Sequence, residues 1–423
     1  MKILVISNLF PPRYLGGYEI LCEQVCRELG ARGPKVVVLT SDHGVEEKPL
    51  SGSAAKRPSC LDRSTDDVIQ DRNGRLQTEA IHRLLKLYVP FDKPAGLMRG
   101  RRQKIGRLNY ATTMGLIGRE RPDVIFIWSQ LRLTLGAARA AEDSGIPSVY
   151  TFNDEHIAGY RAASPSFSPK GLLRYIADHS LFADITLNRL RMERVTCISH
   201  LLKQRLIEKG VTIEDARVIH QGIPIEKFPL KEKPGELHTP VRVLYVGQLH
   251  DYKGVHTLVE AANIVASDAI NPTTLRVTII GDGPEDYKRQ IRDTAAAGRA
   301  QIDFAGKLAH ELLSEAYQRH DIFVFPSMWK EPFGLTHLEA MASGVPVACS
   351  NISSMPEVAG DAAVLFDPYD EETIEDALRH ILTNNERLRD SARRGLGRSH
   401  KLTWAKTAAQ TLDVIQRAAK EVC

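Results

Sequence analysis

The sequence lacks long hydrophobic runs and is poor in cysteine. No run approaches the roughly 18 apolar residues that a membrane-spanning helix needs, and the first, "KILVIS", is too short for a signal peptide and is typical of a strand. We therefore expect a cytoplasmic protein, attached at most to the inner face of a membrane. The six cysteines contain no C-x-x-C pair, which favours buried thiols in a reducing compartment over a metal site.

A strong charge of either sign and a dinucleotide fingerprint are also absent. The formal net charge is only +4 over 423 residues, which gives no overall reason to expect nucleic acid as a partner. There is no G-x-G-x-x-G followed by an acidic residue about 20 positions later, the pattern that a nicotinamide-dependent oxidoreductase of two Rossmann lobes would need. The sequence therefore disfavours both of these classes.

The sequence does contain a repeated alternation of short Val- and Ile-rich runs with helix-length stretches. The runs include "KVVVLT" and "VIFIWS" in the first half, and "VRVLYVG" and "DIFVFPS" in the second. Near-continuous apolar strands alternating with helices are typical of parallel sheets covered on both faces. We therefore predict an α/β protein with two Rossmann-like, doubly wound parallel-sheet lobes that face a central cleft and bind ligands at the carboxyl ends of the strands.

The polar Pro/Gly stretch "KEKPGELHTP" interrupts this alternation and is the predicted domain boundary. The first lobe is expected over residues 1–230, with an irregular, polar insertion at about residues 43–106. The second lobe is expected over residues 240–400. Residues 401–423 have the pattern of an amphipathic helix, which we expect to cross back to the first lobe.

The stretch "EPFGLTHLE" places two carboxylates, Glu331 and Glu339, eight residues apart around a Phe-Gly turn. An apolar strand precedes it and "GVPV" follows, so the segment predicts a βαβ unit whose helix of about nine residues begins just after Phe333 and Gly334. Backbone N–H groups at a helix start can bind an anion, and carboxylates can accept bonds from hydroxyl groups. The spacing alone would be common in a charged chain, but its surroundings favour a ligand site.

Two further loops of the second half follow strands. Lys253 in "YVGQLHDYKG" lies between a strand end and a helix start, where an ammonium group can neutralise a diphosphate leaving group, although a loop lysine is more often only solvated. "IIGDGPE" contains Gly281 and Gly283 in a tight turn, which is a weak signal by itself.

Two loops of the first half also allow either a ligand-binding or a purely structural interpretation. Gly16 and Gly17 precede a helix, where glycines either let a ligand approach the backbone or serve only a turn. Asn153, Asp154 and His156 in "TFNDEH" follow a strand and would either contact a ligand or cap the next helix.

Together these stretches resemble the retaining, GT-B fold glycosyltransferases of family 4 (glycosyl transferases group 1), and the resemblance runs over nearly the whole chain. It implies transfer of a hexose from a nucleotide-diphosphate sugar to an acceptor hydroxyl, with retention of anomeric configuration. The acceptor would be a glycan, a lipid-linked compound or a small molecule in cell-surface polysaccharide, glycolipid or glycoconjugate biosynthesis. No cofactor is implied, and because the chain contains no D-x-D triplet, we expect no metal.

The resemblance also implies roles for individual residues. Glu331 would contact the hydroxyls of the donor sugar, Glu339 would hold the ribose, and Lys253 would help the diphosphate depart. The other implied donor contacts are the backbone of Phe333, Gly334 and Leu335 at the diphosphate, the glycine loop of Gly16 and Gly17, Gln248, Gly283, and Lys307 in the "GKL" loop that meets the nucleobase.

Two positions depart from the family pattern. Families of this kind usually carry an arginine where this chain has Gln248, so one of two expected positive charges at the diphosphate is missing. They often carry a histidine where this chain has Asn153, whose backbone could still contact the donor sugar, so Asn153 stays a catalytic candidate with Lys253 and Glu331. The departures leave open a non-catalytic nucleotide-sugar or glycan-binding protein of the same fold.

A basic cluster in "LMRGRRQKIGRLNY" is a candidate membrane contact. Cations near an anionic lipid surface are attracted to it, but a solvated helix face has the same composition. The cluster consists of Arg99, Arg101, Arg102, Lys104 and Arg107.

Overall fold

The computed structural model describes residues 1–14, 17–43, 80–91, 99–165, 167–268, 274–382 and 385–421. The chain divides into two compact units. The first consists of Met1–Ile198, Leu202–Ile219 and Thr407–Cys423, and the second of Ser199–Leu201 and His220–Lys406. Residues 231–240, which the sequence suggested as the boundary, thus lie inside the second unit.

The first unit is built on a seven-stranded parallel sheet in the order β3-β2-β1-β4-β5-β6-β7. The strand order reverses between β1 and β4, and in such sheets ligands bind outside the carboxyl ends of the strands at this point. The strands are β1 (Lys2–Ile6), β2 (Lys35–Ser41), β3 (Ala80–Leu85), β4 (Val124–Ile127), β5 (Ser148–Phe152), β6 (Val195–Cys197) and β7 (Arg217–Val218).

The second unit has a six-stranded parallel sheet in the order β10-β9-β8-β11-β12-β13, with its reversal between β8 and β11. The sequence prediction of two doubly wound, Rossmann-like sheets is confirmed. The strands are β8 (Val241–Val246), β9 (Leu275–Ile280), β10 (Gln301–Gly306), β11 (Ile322–Phe325), β12 (Val347–Ser350) and β13 (Ala363–Phe366).

Helices connect the strands in both units. All four residues of β4, of β11 and of β12 are buried, which is why these strands read as continuous apolar runs rather than as alternating patterns. In chain order the helices are α1 (Gly17–Ala31), α2 (Arg99–Glu120), α3 (Gly136–Asp143), α4 (Pro169–His179), α5 (His200–Glu208), α6 (Val255–Ala266), α7 (Glu285–Ala296), α8 (His310–Arg319), α9 (Thr336–Ala342), α10 (Met355–Ala359), α11 (Glu371–Leu382), α12 (Asn385–Ser399) and α13 (Trp404–Lys420).

The structure differs from the predicted irregular insertion at residues 43–106. β3 lies within it as a buried edge strand, and α2 begins at Arg99. Arg83 is only 8% exposed in β3, because its guanidinium donates to the carbonyl oxygens of Phe10 at 3.0 Å and Pro11 at 2.7 Å. Residues 44–79 and 92–98 lie outside the described residues.

No helix in the described ranges combines the length and the hydrophobicity needed to cross a membrane.

A buried carboxylate fixes the residues around the start of β11. Asp321 is 1% exposed, and it accepts hydrogen bonds from the backbone N–H groups of His238 at 3.0 Å and Arg242 at 2.9 Å. The Lys231 ammonium lies 3.8 Å from Asp321 Oδ1 and donates to the carbonyl oxygen of His320 at 2.7 Å. Burial lowers the pKa of Lys231. A polar network therefore anchors residues 231–242 to the sheet.

Replacing Asp321 by alanine should lower the free energy of unfolding by about 3 kcal/mol, because Lys231 and two backbone N–H groups would lose a buried acceptor. Asp303→Ala is the control, since Asp303 pairs with Arg276 on an exposed surface and its loss should cost no more than about 1 kcal/mol. Urea denaturation of the two variants measures the difference, and equal losses would contradict this role of Asp321.

Candidate functional site

An ion pair joins the two loops that flank the strand reversal of the second unit. The Lys253 ammonium, from the loop after β8, donates to Glu331 Oε1, from the loop after β11. The two side chains are only 14% and 11% exposed. The predicted catalytic lysine and the first predicted glutamate thus meet at the carboxyl ends of the strands, where a ligand of such a sheet is expected.

Glycine makes this approach of the two loops possible. Gly254 has a φ of +66°, and a Cβ atom there would lie 2.0 Å from the carbonyl oxygen of Pro326. The loops are also joined by a hydrogen bond of 2.9 Å from the Met328 N–H to the carbonyl oxygen of Tyr252. A side chain at position 254 would therefore force these two loops apart.

Serine residues hold Glu331 in place. Ser327 Oγ donates to Glu331 Oε1 at 3.0 Å, and the Glu331 carbonyl oxygen accepts from the hydroxyls of Ser353 and Ser354, both at 2.8 Å. Both hydrogen bonds to the carboxylate fall on Oε1, and Oε2 has no partner in the described part of the chain. Glu331 is thus oriented with one oxygen engaged and the other available to a ligand.

The segment after Glu331 forms the predicted strand–turn–helix–strand unit. Gly334 has a φ of +81°, a conformation that favours glycine, and α9 follows with seven residues rather than the predicted nine. His337 lies beneath this turn, fully buried, and a Cβ at position 334 would approach its ring to 3.0 Å. Burial lowers the pKa of His337 to about 3, so this ring is neutral at neutral pH.

Glu339 lies in a different environment from Glu331. It is 4% exposed, its Oε2 accepts a hydrogen bond of 2.9 Å from the Tyr317 hydroxyl, and its Oε1 lies 3.2 Å from His310 Nε2. The hydrogen bond to Glu339 raises the pKa of His310, while burial and the nearby carboxylate raise that of Tyr317. His310 and Tyr317 could not be found from the sequence, because their helix α8 is remote from the "EPFGLTHLE" segment along the chain.

The other predicted donor contacts of the second unit occupy neighbouring loops. Gln248 is exposed just after β8, and Lys307 is exposed at the end of β10. Cβ atoms at Gly281 and Gly283 would lie 1.8 Å from the carbonyl oxygens of Gly247 and Leu249, respectively. The loop after β9 packs so closely against the loop after β8 that only glycine fits at both positions, whether or not a ligand binds there.

The first unit has a pocket at the carboxyl ends of β1, β4 and β5, and the predicted residues Asn153, Asp154 and His156 line it. Asn153 is 6% exposed and donates to the Trp128 carbonyl oxygen at 3.3 Å. Asp154 accepts from the His156 N–H at 2.8 Å, so it caps the local turn as well as lining the pocket. Gly17 begins α1, and Gly16 lies outside the described residues.

Four buried polar atoms of this pocket have no hydrogen-bond partner within the described ranges. They are Asn8 Nδ2, Trp128 Nε1, Gln130 Oε1 and His156 Nε2. Buried polar atoms are normally paired, so four unpaired ones in one pocket indicate a site for a polar ligand. Burial lowers the pKa of His156, which leaves a neutral ring that can donate or accept. Sequence reasoning missed the residues after β1 and β4, although polar residues directly after strands were a usable signal.

The predicted basic cluster is split by the structure. Arg99 pairs with Asp178 at 3.0 Å, and the Arg102 guanidinium lies over the ring of Tyr160, 4.7 Å from its centroid. Both side chains are therefore engaged with the protein. The three remaining cations, Arg101, Lys104 and Arg107, are exposed on α2, and Arg107 also lies 3.7 Å from the Asp184 carboxylate.

Two family models match the chain. Residues 15–227 match the model described as Glycosyltransferase Family 4, and residues 226–396 match the model described as Glycosyl transferases group 1.

Similar proteins are known among enzymes and solved structures. The chain is 26% identical to the O-antigen chain mannosyltransferase B of Escherichia coli, over 63% of this chain and 69% of the relative. It is 28% identical to the serotype-specific mannosyltransferase WbdA of Escherichia coli over 58% of this chain, but the match spans only 31% of WbdA. The structure of Anabaena HepE in complex with UDP and glucose aligns over 99% of this chain and 100% of that one, with a TM-score of 0.63 and 18% identity.

The two matched models together extend over residues 15–396, and the aligned structure shows the same two-sheet fold. The predicted α/β, GT-B fold class is thereby confirmed. This chain belongs to the glycosyltransferases, with the family 4 model over its first half and the group 1 model over its second.

Proposed function

We propose that this glycosyltransferase moves a hexose from a nucleotide-diphosphate sugar to an acceptor hydroxyl, with retention of anomeric configuration and without a metal ion or other cofactor. The observation that carries the proposal is the Lys253–Glu331 ion pair beside the Gly334 turn. An ammonium group suits a diphosphate, and an oriented carboxylate suits sugar hydroxyls. HepE, which has the same fold, is seen with UDP and glucose.

The chemical step needs charge stabilisation at the leaving group. As the bond between the anomeric carbon and the phosphate oxygen breaks, negative charge grows on the diphosphate and the sugar gains oxocarbenium character. Lys253 and the backbone N–H groups at Gly334 and Leu335 would stabilise that charge in place of a metal ion. The chain contains no D-x-D triplet to hold such an ion.

Retention follows if the acceptor attacks from the face that the diphosphate leaves. The acceptor oxygen then forms the new bond to the anomeric carbon, and its proton passes to the departing phosphate oxygen. Glu331 Oε2 would accept hydrogen bonds from the hydroxyls of the transferred sugar and fix the orientation of its ring. The role of Glu331 in this scheme is to position the donor.

The nucleoside part of the donor would occupy the loops around the ion pair. Glu339 accepts from the neutral Tyr317 hydroxyl at 2.9 Å and can accept from ribose hydroxyls in the same way. We assign Gln248, Gly283 and Lys307 to the diphosphate and nucleobase, as the resemblance implies.

We place the acceptor at the first unit's pocket, and Asn153 stays a catalytic candidate whose backbone would contact the donor sugar, as the resemblance implies. Asn8 Nδ2 and Trp128 Nε1 are donors and Gln130 Oε1 is an acceptor, and none of the three has a partner in the described part of the chain, a combination that suits the hydroxyls of a glycan. The product would be part of a cell-surface polysaccharide, glycolipid or glycoconjugate. Its synthesis would take place in the cytoplasm or at the inner face of the cell membrane.

A non-catalytic nucleotide-sugar or glycan binder is the second candidate, because Gln248 stands exposed where an arginine would be expected. The protein is incubated with UDP-, GDP- and ADP-sugars, and both the reaction products and the melting temperature are measured. These measurements distinguish the enzyme from the binder. We expect one donor to raise the melting temperature, since a ligand of the folded state stabilises it, and the same donor to be hydrolysed or transferred. A raised melting temperature without turnover would indicate the binder.

Lys253→Ala should lower kcat at least about tenfold, or about 1.4 kcal/mol in activation free energy, because the leaving diphosphate loses its ammonium partner. Lys330→Ala is the matched control, since Lys330 is exposed in the same loop as Glu331. We expect this variant to have the kcat of the unaltered protein. Steady-state kinetics with the active donor measure both, and circular dichroism checks folding. Equal rates for Lys253→Ala and the unaltered protein would remove Lys253 from the mechanism.

A further inference from the structure

Helix α4 has its apolar residues on the outside. Asp178 is the only buried residue among the eleven of α4. Leu172, Leu173 and Ile176 are exposed at 50%, 68% and 52%. At 100° per residue these three side chains fall on one stripe of the helix. The stripe therefore faces solvent instead of the core of the first unit.

Two more exposed apolar side chains flank the helix. Phe167 lies just before α4 and is fully exposed, and Leu181 lies just after it at 67%. We call Phe167, Leu172, Leu173, Ile176 and Leu181 the α4 patch. Single exposed apolar side chains are common, but five within fifteen residues mark a surface that contacts something apolar.

Polar contacts hold α4 in this orientation. The Asp178 carboxylate pairs with Arg99 at 3.0 Å and accepts from the Ala163 N–H at 3.0 Å. At the other end, the Ser168 hydroxyl caps the helix by accepting from the Gly171 N–H at 3.1 Å. Turning the apolar stripe inward would break the Asp178 contacts, so the outward direction is built into the fold.

Exposed cations surround the α4 patch. Lys170 and Arg174 are exposed on α4 itself, while Arg101, Lys104 and Arg107 are exposed on the first turns of α2. Arg174 and Arg107 also lie 3.9 Å from Asp178 and 3.7 Å from Asp184, respectively. Gln103 donates to the Leu181 carbonyl oxygen at 2.8 Å, so these turns of α2 lie against the end of the patch. No Asp or Glu occurs among residues 99–107, and Asp178 is the only acid among residues 167–181.

We propose that the α4 patch and the exposed cations of α2 and α4 form a docking surface for an anionic lipid bilayer. An apolar stripe bordered by Lys and Arg is the pattern of helices that lie in the membrane interface. The apolar side chains would enter the boundary between headgroups and acyl chains, and the cations would meet lipid phosphates. The positive border favours an anionic bilayer over a second copy of this chain, which would bring the same cations together.

Flotation of the full-length protein with lipid vesicles tests this surface. The protein should float with vesicles of mixed phosphatidylcholine and phosphatidylglycerol, much less with phosphatidylcholine alone, and less at high salt because the cations are screened. Leu173→Asp/Ile176→Asp should lower the partition coefficient at least about tenfold, since two charges would enter the interface. Ile264→Asp, at an apolar position on α6 that is 43% exposed and lies outside the α4 patch, should bind vesicles as the unaltered protein does.

Three results would overturn the proposal. The first is that the protein does not float with anionic vesicles. The second is that the double variant floats as well as the unaltered protein does. The third is that the protein self-associates and that the double variant abolishes this self-association. The melting temperature in the presence of nucleotide sugar should be raised equally in the unaltered protein and both variants. Loss of vesicle binding with intact donor binding would overturn only the membrane proposal, and loss of donor binding with intact vesicle binding would overturn only the proposed function.

Discussion

The ion pair between Lys253 and Glu331 is the interaction on which the second unit's site depends. Both side chains are largely buried, and taking two charges out of water is costly even when they are paired. The arrangement becomes favourable when a ligand offers each charge a further partner, phosphates to the ammonium and hydroxyls to the carboxylate. An activated sugar carries both groups on neighbouring atoms and would suit this pair of charges under the proposed function.

The parallel sheet brings these charges together. Lys253 and Glu331 are 78 residues apart, but β8 and β11 are neighbours at the point where the strand order reverses. The loops that follow them are packed through Gly254 and Pro326, so the ammonium and the carboxylate are held by the backbone and not by flexible segments. The first unit has the same arrangement, because its pocket lies at the reversal between β1 and β4 and contains polar atoms that find no partner among the described residues.

Sequence reasoning found what depends on local pattern and missed what depends on distant partners. The buried strands and the Glu331 segment were readable because apolar runs and turn residues are contiguous. β3 was missed because His82 and Arg83 interrupt "AIHRLL", and Arg83 is buried only with the help of carbonyl oxygens about 70 residues away. Likewise, the composition of α4 shows an amphipathic helix but not that Asp178 would fix its apolar side outward.

A crystal structure with a bound nucleoside diphosphate tests the central claim most directly, because it locates the phosphates. The account predicts diphosphate oxygens within hydrogen-bonding distance of Lys253 Nζ and of the backbone N–H at Gly334 or Leu335. A nucleoside diphosphate whose phosphates lie away from both Lys253 and the Gly334 turn would contradict it.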